Sequence, residues 1–212
     1  ITTAYLSDRK TYIIVLCCNA VDITEKFIRN LYAYTDPQDF HVLFVDNGST
    51  DETPRLLADI AKRNQNVSID TLSHNSGVIG GRNRGFAVYE SLETKPDYLL
   101  FLDNDQFVQD GWFSQHHDVM EQGGYDVVGV EGWLLGRSFF PVKKCSRPTE
   151  AFSYVGCGGM LIRKKVTDAI GLFDEKFNPC YFEDPDMCFR CLAKGFKIGW
   201  NCKAKIIHLA HQ

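Results

Sequence analysis

Two carboxylates one residue apart, Asp103 and Asp105, close the apolar run Tyr98-Leu99-Leu100-Phe101-Leu102. Side chains alternate along a strand, so residues two apart share a face and both carboxylates emerge together where the run ends. Carboxylates held that close repel each other unless a cation lies between them. Hard oxygen ligands suit Mg2+ or Mn2+, ions that enzymes commonly share with substrate phosphates. Asp103-Asn104-Asp105 also reads as a simple turn, because Asp and Asn favour turns. Further along lie the acidic cluster Glu183-Asp184-Pro185-Asp186 and the histidine His208. A carboxylate of that cluster could serve as a general base. Equally, Asp184 followed by Pro185 reads as a helix cap and first helical residue, a setting that lowers a carboxyl pKa. Glu183, outside the helix, would then share or take the basic role. His208 taken alone reads as a surface residue.

The elements that must position these groups alternate regularly through the first half. Strand patterns cover Tyr12 to Cys18, Phe40 to Val45, Val67 to Leu72 and Tyr98 to Leu102. Helix patterns cover Ile23 to Tyr34, Asp51 to Lys62 and Ile79 to Ser91. Strands separated by helical stretches of this length imply βαβ units, an α/β class and a mainly parallel sheet, with ligands beyond the strands' carboxyl ends. Those ends carry Cys17-Cys18-Asn19, Asp46-Asn47-Gly48-Ser49-Thr50-Asp51, Ser73-His74-Asn75-Ser76-Gly77 and Asp103-Asn104-Asp105. Turn and cap chemistry accounts for Gly48 through Asp51. It does not require Asp46, which follows Val42-Leu43-Phe44-Val45 and is placed to accept a ligand's N–H or hydroxyl.

Beyond Asp105 the pattern changes. A helix is expected over Trp112 to Glu121, a strand over Tyr125 to Val130, and an irregular or strand-like stretch over Trp133 to Val142. The turn Gly156-Cys157-Gly158-Gly159 then sits between apolar runs. A helix over Asp184 to Lys194 and short strands over Phe196 to Trp200 and Lys205 to Leu209 complete the chain. With no linker or low-complexity segment, the second half packs on the first, the boundary lying near Asp105 to Gly111.

With 44% hydrophobic and 13% aromatic residues over 212 positions, the chain is globular. Lys+Arg 23 against Asp+Glu 27 gives a formal charge of −4, which excludes a general pull on nucleic acid. A phosphate-bearing ligand would need a metal or a placed Arg. No apolar run approaches the ~20 residues of a membrane span. The chain begins at Ile1 rather than Met, which reads as a processed form or a piece of a longer protein. The eight cysteines lack the spacing of a small secreted scaffold and read as reduced thiols of a cytoplasmic protein. Zinc is the competing reading for Cys188, Cys191, Cys202, His208 and His211. Against it, Cys188 and Cys191 fall in a helical pattern where small thiols pack well.

Together these segments resemble the inverting GT-A glycosyltransferases of the large family 2, over about residues 12 to 211. The resemblance rests on Val45 through Asp51, Asn75-Ser76-Gly77 with Gly81-Arg82-Asn83-Arg84-Gly85, and the Asp103 to Asp105 pair. It rests also on Gly158 through Arg163, Glu183 through Arg190, and His208. It implies a GT-A fold over residues 1–212, with a Rossmann-like nucleotide-binding half, about 12–105, fused to a smaller metal and acceptor half, about 106–212. Asp46 would bind the nucleobase, with Leu16, Cys17 and Cys18 lining the same pocket and Gly77 and Asn104 beside the nucleotide. Arg82 would lie near the base or diphosphate, and Asp103 near the ribose or the metal's water shell. Asp105 and His208 would ligate Mn2+ or Mg2+, and Gly158 and Gly159 would let the backbone approach the donor sugar. The chain departs from the pattern at Cys17-Cys18-Asn19, where the family more commonly ends the strand in a polar residue, an aromatic and Asn.

The implied reaction is a single displacement. Asp184 or Glu183 takes a proton from an acceptor hydroxyl as that oxygen attacks the anomeric carbon of a UDP-sugar or dTDP-sugar, with inversion. A glycan acceptor fits a chain with no membrane element. The loop forms at Asp46 and Glu183 look most like rhamnosyltransferase-type members, implying a deoxysugar donor. Trp133 through Phe140 reads either as acceptor wall or as core. Three other classes compete: a sugar nucleotidyltransferase, disfavoured by the absence of G-x-G-x-R near the first strand; a dinucleotide-dependent oxidoreductase, disfavoured by the absence of G-x-G-x-x-G after it; and a sugar or nucleotide binding module without turnover, disfavoured by the intact carboxylates.

Overall fold

A computed structural model describes residues 11–147 and 150–209. The elements run β1 (Thr11–Cys17), α1 (Val21–Tyr34), β2 (Phe40–Asp46), α2 (Thr53–Arg63), β3 (Val67–Thr71), α3 (Gly77–Glu90) and β4 (Tyr98–Asp103). They continue with β5 (Gln106–Val108), α4 (Trp112–Gly123), β6 (Val127–Gly129), β7 (Gly132–Leu135), β8 (Pro141–Lys144), β9 (Tyr154–Val155) and β10 (Leu161–Arg163). Last come α5 (Lys164–Ile170), a 3-10 turn (Glu175–Phe177), α6 (Glu183–Ala193), β11 (Ile198–Trp200) and β12 (Ile206–His208).

The main sheet has seven strands in the order β11-β6-β10-β4-β1-β2-β3. β3, β2, β1 and β4 are mutually parallel, as the alternating pattern requires. Strands buried on both faces read as unbroken apolar runs, and β1, β2 and β4 are such strands. Alternate residues then serve two separate cores. Ile13, Val15, Phe44 and Leu100 pack with Phe27 and Leu31 of α1, Leu57 of α2 and Trp112 of α4. Ile14, Val45 and Phe101 pack on the other face with Ile79 of α3 and Met187, Cys188 and Cys191 of α6. Cys188 and Cys191 are thus core residues. The histidine His211 of the zinc reading lies outside the described residues.

The register aligns the functional rim. Leu16 stands opposite Asp103 and Cys17 opposite Asp46, so the first, second and fourth strands end at one level. Past β4 the sheet becomes mixed, with β10 antiparallel to both β4 and β6. Two small sheets complete the second half: β12 against β5, and β8-β7-β9. The stretch left open between irregular and strand-like is the β7–β8 hairpin.

Three expectations are corrected. The pair Asp103 and Asp105 does not emerge from one strand face: β4 ends at Asp103 and Asp105 lies in the turn before β5. The helix of the acidic cluster begins at Glu183, with Phe182 at its cap, so Asp184 is not a cap and Glu183 is not outside the helix. The Tyr125 to Val130 strand is shortened to Val127–Gly129. No helix among the described residues is long and apolar enough to cross a membrane.

Candidate active site

Each rim loop is held by side chains from its neighbours. Asn19 Oδ1 accepts the Thr50 N–H at 2.8 Å, and the Asn19 N–H donates to Ser49 Oγ at 2.7 Å, joining the ends of β1 and β2. Asn47 Nδ2 donates to Asn75 Oδ1 and to the Gly77 carbonyl, while its Oδ1 accepts from Ser76. Read in the sequence only as a turn residue, Asn47 ties the second rim loop to the third. Gly77 stands at φ +79°, and a side chain there would strike Asn178 and Pro179. Leu16 packs against Gly81, and Cys17 is fully buried in the core. Cys18 Sγ accepts from Asn75 Nδ2 at 3.4 Å. Asp46 is buried; its Oδ1 accepts the Ser49 N–H at 3.0 Å, and its Oδ2 has no protein partner.

At the end of β4, the guanidinium of Arg82 on α3 lies 2.7 Å from Asp103 Oδ1, with Arg82 only 7% exposed. The Asp103 N–H donates to Gln106 Oε1 at 2.9 Å. Asn104 turns away and donates to Thr24 Oγ1 on α1 at 2.8 Å. The antiparallel pairing of β12 with β5 sets His208 opposite Gln106, and the Leu209 N–H donates to the Asp105 carbonyl. His208 Nε2 is therefore 3.1 Å from Asp105 Oδ1 and 3.9 Å from Asp103 Oδ2. The hydrogen bond to Asp105 raises the His208 pKa against the opposing pull of burial.

One ligand atom from each of Asp103, Asp105 and His208 falls within 4.8 Å of the others. Two carboxylates and an imidazole converging so closely fit a divalent cation. Mg2+ favours an all-oxygen shell, so the imidazole favours Mn2+. The turn Gly158-Gly159 closes over this cluster: the Gly159 N–H donates to the Phe101 carbonyl, and a Cβ on Gly158 would lie 2.7 Å from Asp103 Oδ2. Buried His116 lies 2.9 Å from the Gly159 carbonyl through Nε2, and burial lowers its pKa to about 4, so it is a neutral prop for the turn.

Asp184 faces the cluster across a cavity of about 280 Å³. Arg82, Asp103, Gly158, Asp184 and His208 line it, all singled out in the sequence for the site. Glu131, Tyr154 and Cys157 line it too and were not. They arrive on or beside β7 and β9, short strands with no periodicity long enough to read. Trp133, named in the sequence as acceptor wall or core, also lines it. Asp184 Oδ2 accepts the Cys157 N–H at 3.1 Å, and Oδ1 has no protein partner. Burial, reinforced by neighbouring Glu183, raises the Asp184 pKa to about 7 despite the pull of Arg82. The lowering expected of a helix cap is thus reversed, because the carboxyl group is desolvated within the first turn. A carboxylate tuned to about 7 is well matched to general-base work near neutrality.

A polar rim on parallel strands, extended by the antiparallel strand β10 and carrying a carboxylate–imidazole cluster at its edge, defines the class: an α/β protein with its site at the strands' carboxyl ends. The chain belongs to glycosyl transferase family 2, whose family model matches residues 12–187. An uncharacterized glycosyltransferase of Haemophilus influenzae is 28% identical over 102 residues, 45% of this chain and 39% of that protein. A poly(ribitol-phosphate) beta-glucosyltransferase of Bacillus spizizenii is 25% identical over 138 residues, 62% of this chain and 21% of that protein. The chain thus spans well under half the length of these relatives. In fold it is similar to GalNAc-T7, solved with UDP, GalNAc and Mn2+: TM-score 0.79 at 13% identity, covering 94% of this chain and 44% of that one. The fold is accordingly GT-A.

Proposed function

We propose that this protein is a metal-dependent inverting glycosyltransferase that moves a sugar from a nucleoside-diphosphate sugar to a hydroxyl of a glycan. One observation carries the reading: Asp184, with an unpartnered carboxylate oxygen, shares a single cavity with Asp103 and His208, and these two converge with buried Asp105 into one cluster. Asp184, rather than Glu183, is the base, because Asp184 lines that cavity and Glu183 does not. It takes the acceptor proton as the acceptor oxygen bonds to the anomeric carbon and the bond from that carbon to the diphosphate breaks. One displacement inverts the anomeric centre. Asp103, Asp105 and His208 would hold Mn2+, which when bound offsets the negative charge of the departing diphosphate. Arg82 fixes Asp103, and Gly158 leaves room for the donor beside it.

Asp46, with a buried acceptor oxygen at the rim, takes the N–H of the base, and uracil and thymine both offer one. UDP is the first choice of nucleotide, dTDP the second. The resemblance of the Asp46 and Glu183 loops to rhamnosyltransferase-type members supports a deoxysugar donor, and eight unpaired cysteines support a cytoplasmic setting. We read the chain as one GT-A unit whose two halves divide near residue 105.

The test is a panel of UDP- and dTDP-sugars, scored by thermal stabilisation with Mn2+ and by donor hydrolysis with Mn2+ or EDTA. Turnover that needs Mn2+ and disappears in EDTA is expected. Absent or metal-independent turnover refutes the reading.

A further inference from the structure

A second cleft, of about 490 Å³, shares Asp184 and Tyr154 with the cavity beside the metal cluster. That volume is within the range of small-ligand sites, ~300–1,000 Å³. Its aromatic wall is built from separate elements. Phe140, 60% exposed, comes from the tip of the β7–β8 hairpin; Tyr181, 76% exposed, and Phe182 come from the turn before α6. Phe140 and Phe182 meet edge to face at 5.6 Å and 75°, so the hairpin tip and the turn touch at the cleft. Tyr181 and Phe182 stand consecutively at φ +79° and +67°. Bulky side chains rarely hold that conformation, and here it carries two rings to the mouth of a cleft rather than into the core. The acidic groups of the lining are Glu183 and Asp184, whose Oδ1 is buried without a hydrogen-bond partner. Among the described residues, no Lys or Arg lines the cleft.

We infer that this cleft binds the acceptor, and that the acceptor unit seated in it is a neutral saccharide ring stacked on the aromatic wall. This rests on the glycosyl-transfer reading above. A sugar ring has the two faces the cleft asks for: C–H groups to lie against aromatic faces, and hydroxyls to donate to carboxylates. Because Asp184 and Tyr154 line both this cleft and the donor cavity, a hydroxyl held here lies at the base that must deprotonate it. An anionic unit, whether phosphate or uronate, would meet two acidic side chains and no Lys or Arg among the lining residues. The cleft therefore selects against polyanionic acceptors.

The experiment is saturation-transfer NMR on the full chain with neutral methyl hexosides and disaccharides, against the matching uronates and sugar phosphates. Neutral members should bind, and their charged counterparts about tenfold or more weakly. Tyr181→Ala and Phe140→Ala should each weaken neutral binding about 3- to 10-fold, and Tyr181→Phe should retain it. Both positions are well exposed, and far-UV circular dichroism checks that the variants fold. The inference is overturned by uronates binding as well as neutral sugars, by no neutral sugar binding, or by both alanine variants binding like wild type. Donor hydrolysis by the wild-type chain is scored in parallel. Its absence strikes the transferase reading, whereas its presence with any of those binding results strikes the cleft assignment alone.

Discussion

His208 Nε2 lies 3.1 Å from Asp105 Oδ1, a contact made by pairing β12, the last described strand, with β5, the short strand that follows the carboxylates. Removing either partner should therefore remove a metal ligand without touching either core. His208→Ala and Asp105→Asn should each weaken Mn2+ binding by at least about 10- to 100-fold. Titration calorimetry is the check, and wild-type affinity in both variants would show that the cluster holds no metal.

Asp184 predicts opposite effects on activity and stability. A base with a pKa of about 7 gives a kcat/KM that rises with pH and levels off above that value. Asp184→Asn should abolish transfer at every pH. The folded-state pKa is raised above the unfolded one, so between about 4 and 7 the folded chain binds more protons, and stability falls as pH rises. Asp184→Asn escapes that cost. It should gain about 2–3 kcal/mol relative to wild type on moving from pH 5 to pH 8, measured by urea unfolding at the two pH values. An advantage that does not grow with pH would contradict the burial argument.

Buried Arg82 forms an ion pair with partly buried Asp103, and removing the carboxylate's partner leaves a charge stranded. Arg82→Met should destabilise the chain by about 3 kcal/mol and raise the donor KM. The double variant Arg82→Met with Asp103→Asn should recover much of the stability but not the KM. Equal stability of the single and double variants in urea would show that the pair is not coupled.

Two glycines separate site from scaffold. Gly158→Ala brings a methyl to 2.7 Å from Asp103 Oδ2 and should weaken Mn2+ and donor binding with little change in Tm. Gly48→Ala strikes the His74 backbone at 2.4 Å, from a residue at φ +73°, and should destabilise by about 1–3 kcal/mol. Differential scanning fluorimetry with and without Mn2+ distinguishes the two. A Gly158→Ala variant that melts as early as Gly48→Ala would place the turn in the scaffold instead.

What was legible in the sequence followed from long, strongly patterned elements. β1, β2 and β4 are unbroken apolar runs, and each ends in the polar residues that form the rim. The convergence of Asp103 and Asp105 was legible; the route was not, because a turn after Asp103 rather than strand alternation brings them together. Glu131, Tyr154 and Cys157 were missed because β7 and β9 are only four and two residues long. Gln106 and His116 were missed because a positioning residue shows itself only once its partner's place in space is known. Asp184 was misjudged because its pKa depends on burial against the Cys157 turn, which neighbouring residues in sequence do not reveal.

β10 forms hydrogen-bonded ladders on both sides, Leu161 opposite Leu100 of β4 and opposite Val128 of β6. A graft that replaced everything after residue 105 with the equivalent part of a relative would cut through this shared sheet along the ladder between β10 and β4. What can be exchanged piecemeal is the ornament outside it: the β7–β8 hairpin tip and the turn bearing Tyr181 and Phe182. Acceptor preference in this chain is thus open to loop-by-loop recombination, while the donor side is welded to the sheet and would change only with the fold.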